Sequence, residues 1–482
     1  MLTRVRRCGF VALLWTLACS DQAAPTPPPP APAPKPSEQE LLAQVKRAQF
    51  ERAFPLHGLV TGVQLKVHKT PDLNSITVGW VRGGSRVRLG AAALPTADCQ
   101  RGFYQVAPLG YVCASEGVLV ADRPPQAASA VQPPVRDAAL PYDYYYVKEP
   151  LAPEYHRLPS RDEQKSVAAY VARYFELQAK DPKKAERYMA GELKNEPTRP
   201  EFIRRFIDRG FFIASTGIET RNARQFARTV RGSFVKVSDL DARKGNSFHG
   251  VALDGARKLP IAWAVRAAQS FIPRLDDAGV HSLATDEASK SYERLARVPW
   301  QRREHFGDQV FHRLDDGHYL KTWYVAVAEH IARPREVRAD EPWIHVNLDQ
   351  QTLVAYRGDQ PVYATLVSTG VEEHPTKPGL YEIRSKHVST SMSDIGSDVS
   401  ADLRYSIEDV PWTQYFSGSV ALHAAFWHAG YGLPHSHGCV NLSPADAHWL
   451  FDHTWPELSA DWQGVTTDGS GLRGSKVLIT EK

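Results

Sequence analysis

What this sequence lacks first is an excess of charge. Its 58 Lys and Arg stand against 54 Asp and Glu, a formal net charge of +4. Residues 1–18 hold three Arg and no acid, so without them the balance is 4 − 3 = +1. A near-neutral body offers no electrostatic case for a nucleic-acid partner, and none is expected. The apolar run from Cys8 to Ala18 is too short to span a bilayer. Cysteine is scarce, five in 482 residues, few enough that each has a separate fate. The length exceeds what one core fills and predicts two to four domains.

Arg4, Arg6 and Arg7 precede that apolar run, in the charged-then-hydrophobic order of a secretory signal. The chain is therefore expected to be exported, with residues 1–19 as the signal. Its end, Leu17-Ala18-Cys19-Ser20, resembles the lipobox of bacterial lipoproteins. That resemblance implies acylation of Cys19, a lipid anchor in a membrane and a place in the cell envelope. Ser20 leans toward the outer membrane in a diderm host, and plain cleavage without a lipid is the alternative. Cys8 leaves with the signal. Cys99 and Cys113 lie close together in one small β-rich segment of an exported chain, so a disulfide is expected between them. Cys439 remains alone, and an unpaired thiol outside the cytoplasm points to a function rather than to packing.

Residues 20–50 are led by AAPTPPPPAPAPKP, which reads as an extended polyproline tether. Short alternating strands fill 51–122: Val63, Leu65 and Val67, then Val78 and Trp80, then Val87 and Leu89, then Tyr104 and Val106, then Tyr111 and Val112. With the phrases LNSITVGWVRGGSRVRL, GFYQVAP and GYVC, this stretch resembles a bacterial SH3-like barrel, which implies either docking on cell-wall peptide or a spacer. A Pro/Ala-rich linker follows at 123–140. Residues 141–338 form an α+β middle region without assigned chemistry. In it Val167, Tyr170, Val171, Tyr174 and Phe175 predict one apolar helix stripe, and 226–240 looks like another small β module. From 339 to 482 the pattern is mainly β. WIHVNL, TLVAYR and PVYATLVSTG are strands at hairpin spacing in a sandwich or barrel, and Ser443-Pro444 opens a short helix.

The densest stretch is HAAFWHAGYGLPHSHGCVNLSP, residues 423–444, with four histidines and the lone cysteine. It fits a metal site, a cysteine nucleophile with a histidine base, or a Gly-rich turn. A zinc shell from His423, His428, His435, His437 and Cys439 lacks the CxxC or HxxxH pairs of such sites and a completing carboxylate or second Cys, so no metal is expected. A thiol needs a base or a charged His to become a nucleophile near neutral pH. In an extended strand or turn His437 and Cys439, at i and i+2, point to one side. Gly438 between them removes a Cβ, and nearby backbone N–H groups are placed for an oxyanion hole.

Residues 340–482 resemble the catalytic domain of the L,D-transpeptidases, YkuD-type enzymes that remodel bacterial peptidoglycan. The resemblance rests on His423, then Ser436-His437-Gly438-Cys439-Val440-Asn441, with DQQTLVAY, STG, PTKPG, DVPWTQYF and NLSPADAHWLF in support. It implies a mainly β, sandwich-like catalytic fold, peptidoglycan peptide stems as partners and no cofactor. Cys439 would attack the third residue of a tetrapeptide stem, His437 would move the proton, D-Ala would leave, and an amine would resolve the thioester into a crosslink. Water or a protein lysine as acceptor, or wall binding without catalysis, are the rival readings. By the same resemblance the Ala424 carbonyl orients His437. His423 shapes the pocket, and Ser436 and Asn441 hold the loop and the substrate. Tyr415, Trp427 and Tyr431 are expected along a peptide groove, Trp412 and Phe416 in the core, and His428 and His435 on the rim.

Overall fold

The computed structural model describes residues 37–126, 131–276, 279–393 and 405–481. The signal and Cys19 lie outside the described residues. The chain divides into two units, residues 1–52 and 53–482. The first contains a helix, Glu38–Ala53, with no buried residue. Residues 38–50 were expected to extend the polyproline tether, and the helix corrects this. Past Pro36 the segment EQELLAQVKRAQFERA has neither Pro nor Gly and is rich in strong helix formers. Ser37 and Glu40 close its start, Ser37 N–H donating to the Glu40 carboxylate at 2.6 Å and Glu40 N–H to Ser37 Oγ at 3.3 Å.

The C-terminal segment, from residue 339, is a sandwich of two sheets. One runs in the order Val251–Ala252, Gln360–Leu366, Thr352–Arg357, Pro342–Asn347, Lys476–Thr480, Gly379–Glu382. The hairpins expected there form, with Asn347 opposite Thr352 and Arg357 opposite Gln360. The other sheet centres on Ser385–Ser393, Ser406–Ser417 and Val420–Ala424, the last paired in parallel with Val440–Leu442. Ile344, Leu353, Trp412, Phe416, Leu422, Val440 and Leu450 fill the space between, so Trp412 and Phe416 sit in the core. Helix Pro444–His453 starts where the sequence places it, with Ser443 Oγ accepting from Asp446 N–H at 3.1 Å.

Neighbouring modules add strands to this second sheet. On one side Trp80 pairs with Gly464 and Gly79 with Val465. On the other, Phe212 pairs in parallel with Ile407. The linker is docked as well. Arg136 donates to the Ser459 and Trp462 carbonyls at 2.8 and 3.0 Å, and Ala139 O accepts from Trp412 Nε1 at 2.6 Å. Cys99 and Cys113 are joined by a disulfide.

Among the described residues one unit of structure occurs three times: strand, turn, short strand, 3₁₀ turn, strand. The copies begin at Phe103–Gln105, Arg224–Thr229 and Gln309–Leu314, and end at Val118–Ala121, Leu240–Arg243 and Val325–Ala328. Each places a glycine with φ of 81 to 87° before its short strand, Gly110, Gly232 and Gly317, where a Cβ would strain the backbone. The middle region therefore holds two such units, of which the sequence pattern marked one. Its helix Arg161–Lys180 buries Val167, Tyr170 and Leu177. Phe175, expected on that stripe, is exposed, because the i, i+3, i+7, i+10 line through Leu177 leaves it to one side.

Candidate active site

A groove of about 480 Å³ opens on the second sheet, with Cys439, His437, His435, Ser436, Asn441, His423, Tyr415 and Trp427 on its walls. Cys439 is the free cysteine among the described residues. Its Sγ lies 3.8 Å from Ser419 O, and burial pushes the thiol above its ordinary value of 9.0. At neutral pH the resting thiol keeps its proton and needs a base to react.

The expected base is nearby but not engaged. His437 is exposed, its ring against His374 at 4.8 Å and Tyr405 at 6.0 Å, and it makes no hydrogen bond to the thiol. His437 and Cys439 both line the groove, as expected of the i, i+2 pair, with Gly438 between them at φ of 109°. A Cβ at Gly438 would meet nothing nearer than 3.8 Å, so glycine is needed there for its conformation rather than for space. Ser436 Oγ braces the turn, donating to Cys439 O at 2.5 Å and accepting from Gly438 N–H at 3.2 Å. Thr376 donates to Gly438 O at 2.8 Å and accepts from Gly370 N–H at 2.9 Å, which gives the PTKPG phrase a structural role that the sequence reading lacked.

The Ala424 carbonyl does not orient His437. It faces Nδ1 of His423 at 3.1 Å, the imidazole that precedes it. His423 is buried and held neutral, its pKa lowered to about 4 by burial, and its ring stacks on Trp427 at 5.7 Å. His428 is no rim residue. Gly430 N–H donates to its Nδ1 at 2.9 Å, the Asn441 side-chain amide lies 2.8 Å from Nε2, and burial lowers its pKa to about 3. His435 is exposed on the groove edge, as expected of a rim.

Tyr431 leaves the groove altogether. It is fully buried, stacks on Phe248 at 5.8 Å and donates to Ala425 O at 2.8 Å. Its place is filled by residues that the sequence could not bring there: Met392 and Ile407 from the second sheet, Tyr405 just before the strand Ser406–Ser417, and Phe212 from the middle region. Arg294, also from the middle region, donates to Ala429 O at 2.5 Å and Tyr431 O at 2.7 Å, tying down the loop that carries Trp427 and His428. Among the described residues no three His, Cys, Asp or Glu side chains converge as a metal site.

Residues 341–477 match the sequence profile of the L,D-transpeptidase catalytic domain. The chain is also similar to L,D-transpeptidase 2 of Mycobacterium tuberculosis, 38% identical over 92 residues, which cover 18% of this chain and 22% of that relative. Among solved structures it is similar to an L,D-transpeptidase from Stackebrandtia nassauensis, with 23% identity, 30% of this chain and 57% of that one covered, and a TM-score of 0.21. L,D-transpeptidase 3 from Mycobacterium tuberculosis gives 17% identity, 38% and 79% coverage, and a TM-score of 0.24. The match thus concerns one segment of the chain, the one that bears the groove. Over residues 341–477, this chain carries an L,D-transpeptidase catalytic domain.

Proposed function

We propose that the protein is an L,D-transpeptidase of the cell envelope that takes a peptidoglycan tetrapeptide stem as acyl donor. The observation that carries this reading is Cys439, a free thiol on the wall of an aromatic-lined groove inside the matching segment. Its sulfur attacks the carbonyl of the third stem residue as His437 swings from His374 to take the thiol proton. Backbone N–H groups beside Cys439, other than that of Gly438, which is spent on Ser436 Oγ, hold the oxyanion. His437 then gives the proton to the departing D-Ala, leaving a thioester. An amine of a neighbouring stem resolves it.

Cys19 is acylated in this reading and tethers the enzyme to a membrane, the outer one in a diderm host. The N-terminal β module is SH3-like, supported by its short strands and 3₁₀ turn. Incubating the protein with tetrapeptide muropeptides and weighing the products tests the chemistry. Crosslinked dimers are expected, whereas trimmed tripeptides alone would reassign the acceptor to water, and unchanged stems would refute catalysis. Fractionation of wild type against Cys19→Ala tests the anchor, since equal recovery in the soluble fraction would refute it.

A further inference from the structure

Beside the catalytic groove lies a second cavity of about 420 Å³, in the size range of small-molecule sites, ~300–1,000 Å³. Three modules build it. Gln64, Trp80 and Arg82 come from the N-terminal module, Arg231 from the middle region, and His387, Ser391 and Gln463 from the catalytic domain. The two hollows share Ser391, and His387 on one side packs edge-on against Tyr415 on the other at 5.8 Å. The second is thus a continuation of the groove along strand Ser385–Ser393.

Its chemistry is polar yet uncharged overall. Arg82 pairs with Asp409 at 3.2 Å and Arg231 with Glu408 at 2.8 Å, so neither guanidinium is left for an anion. Besides Arg231 Nη1, which is ion-paired with Glu408, Arg82 Nε, Asp409 Oδ2 and Gln463 Oε1 are buried without a hydrogen-bond partner, on residues 7%, 2% and 2% exposed. Buried polar atoms are rarely left so, because each unmet bond is costly. One donor and two acceptors, walled by the half-exposed Trp80 ring at 5.0 Å from His387, suit a neutral ligand with hydroxyl and amide groups and an apolar ring face.

We propose that this cavity is a subsite for the N-acetylated glycan of the wall polymer, next to the stem that reacts at Cys439. The proposal rests on the reading of the donor as a peptidoglycan stem. Lengths agree with it. Three extended residues between glycan and reacting carbonyl span about 10 Å. Ser391 lines both hollows, so the cavity opens directly off the groove wall, within that reach.

Titrating the full chain with an uncharged β-1,4-linked N-acetylglucosamine tetramer, by calorimetry, tests the site without any turnover. Saturable binding is expected, weakened at least tenfold in Trp80→Ala and severalfold in Gln64→Ala, whose side chain is exposed and free of folding duties, and unchanged in Trp323→Ala, an exposed tryptophan elsewhere. A second arm compares a free tetrapeptide with its disaccharide-linked form as donor. The linked form should show the higher kcat/KM through a lower KM, and Trp80→Ala should erase that advantage while leaving the free peptide unaffected. No tetramer binding, equal affinity in the wild type and both cavity variants, or tighter binding of free stem peptide at this cavity would overturn the proposal. If neither donor acylates Cys439, the transpeptidase reading fails while the tetramer titration still decides the glycan site.

Discussion

The His437–Cys439 turn and the helix that follows it are five residues apart and opposite in build. Asp446, in the first turn of helix Pro444–His453, is fully buried, and its carboxylate accepts from Gly250 N–H at 2.7 Å, Tyr363 OH at 2.7 Å and Thr365 OH at 2.6 Å. His437 is exposed, lies beside the His374 and Tyr405 rings and makes no hydrogen bond among the described residues. Both carboxylate oxygens of Asp446 are thus satisfied. The imidazole proposed as the base is left loose. Rigidity and reach are thus assigned to adjacent segments of one loop-and-helix unit, and the pair invites separate disruption.

The largest effect should come from the turn. Cys439→Ala is expected to abolish thioester formation, read as loss of the single covalent adduct that a carbapenem leaves on the wild type in intact-mass spectra. Equal adduct on both proteins would end the cysteine mechanism. His437→Ala should slow acylation by about 10²- to 10⁴-fold, the usual loss for a positioned base. Because burial already lifts the Cys439 thiol above 9.0, rescue of this variant should begin only at strongly alkaline pH. Recovery near pH 7 would show that another group serves as base.

On the helix side, Asp446→Ala removes one acceptor from three donors at once. A stability loss of about 3 kcal/mol is expected in urea titrations, from stranding buried donors. His437→Ala, by contrast, should leave the urea midpoint in place. A midpoint shift as large in His437→Ala as in Asp446→Ala would erase the contrast between the two segments.

The contrast also marks how far the sequence could be read. Helix Pro444–His453 was legible because its signals are local: Ser443 as cap, Pro444 at its first position, Asp446 in the first turn. The hairpins from Pro342 to Leu366 were legible from alternation and short links. Cys439 and His437 stood out by residue type and motif. What was not legible depended on long-range placement. Tyr431 and Trp427 are both aromatics of one loop, and only the fold decides that Trp427 lines the groove while Tyr431 turns into the core. His428 looked like a rim residue until Gly430 and Asn441 took both of its ring nitrogens. Phe212, more than 200 positions from Cys439, reaches the groove only because its strand pairs with Ile407.

Buried histidines extend the comparison to pH. His345 lies in the sandwich with Nε2 facing Thr480 Oγ1 at 2.9 Å, away from the groove, and burial lowers its pKa from 6.5 to about 4. The unfolded chain then binds more protons than the folded one between those values. Its contribution to stability is fully present above pH 6.5 and is lost as pH falls toward 4. Between pH 7 and 5 the loss amounts to about 2 kcal/mol. Asp446 and Glu408, whose carboxyls burial pushes up, have the opposite sign. His345→Gln isolates the histidine: its urea midpoint should fall less steeply than the wild type's over this range, and parallel slopes would refute the assignment.

The smallest effect expected is at the brace between the middle region and the groove loop. Arg294 spreads its guanidinium over three carbonyls, Val265 at 3.1 Å through Nε, Ala429 at 2.5 Å and Tyr431 at 2.7 Å. Ala429 and Tyr431 flank the turn at Gly430, whose N–H sets His428, which in turn meets Asn441 on the groove wall. Arg294→Ala frees this chain of contacts at its outer end without touching Cys439 or His437. The loss should be a three- to tenfold fall in the acylation rate, on the order expected when a reacting geometry loosens by a fraction of an ångström. Arg294→Lys should recover little of it, since an ammonium is a point charge and cannot fork across three acceptors. Thermal midpoints of both variants should stay close to the wild type, because the guanidinium is half-exposed and its acceptors can turn to water. Full activity in Arg294→Ala would mean that the middle region merely adjoins the groove, and the loop would then owe its shape to Tyr431 and the buried histidines alone.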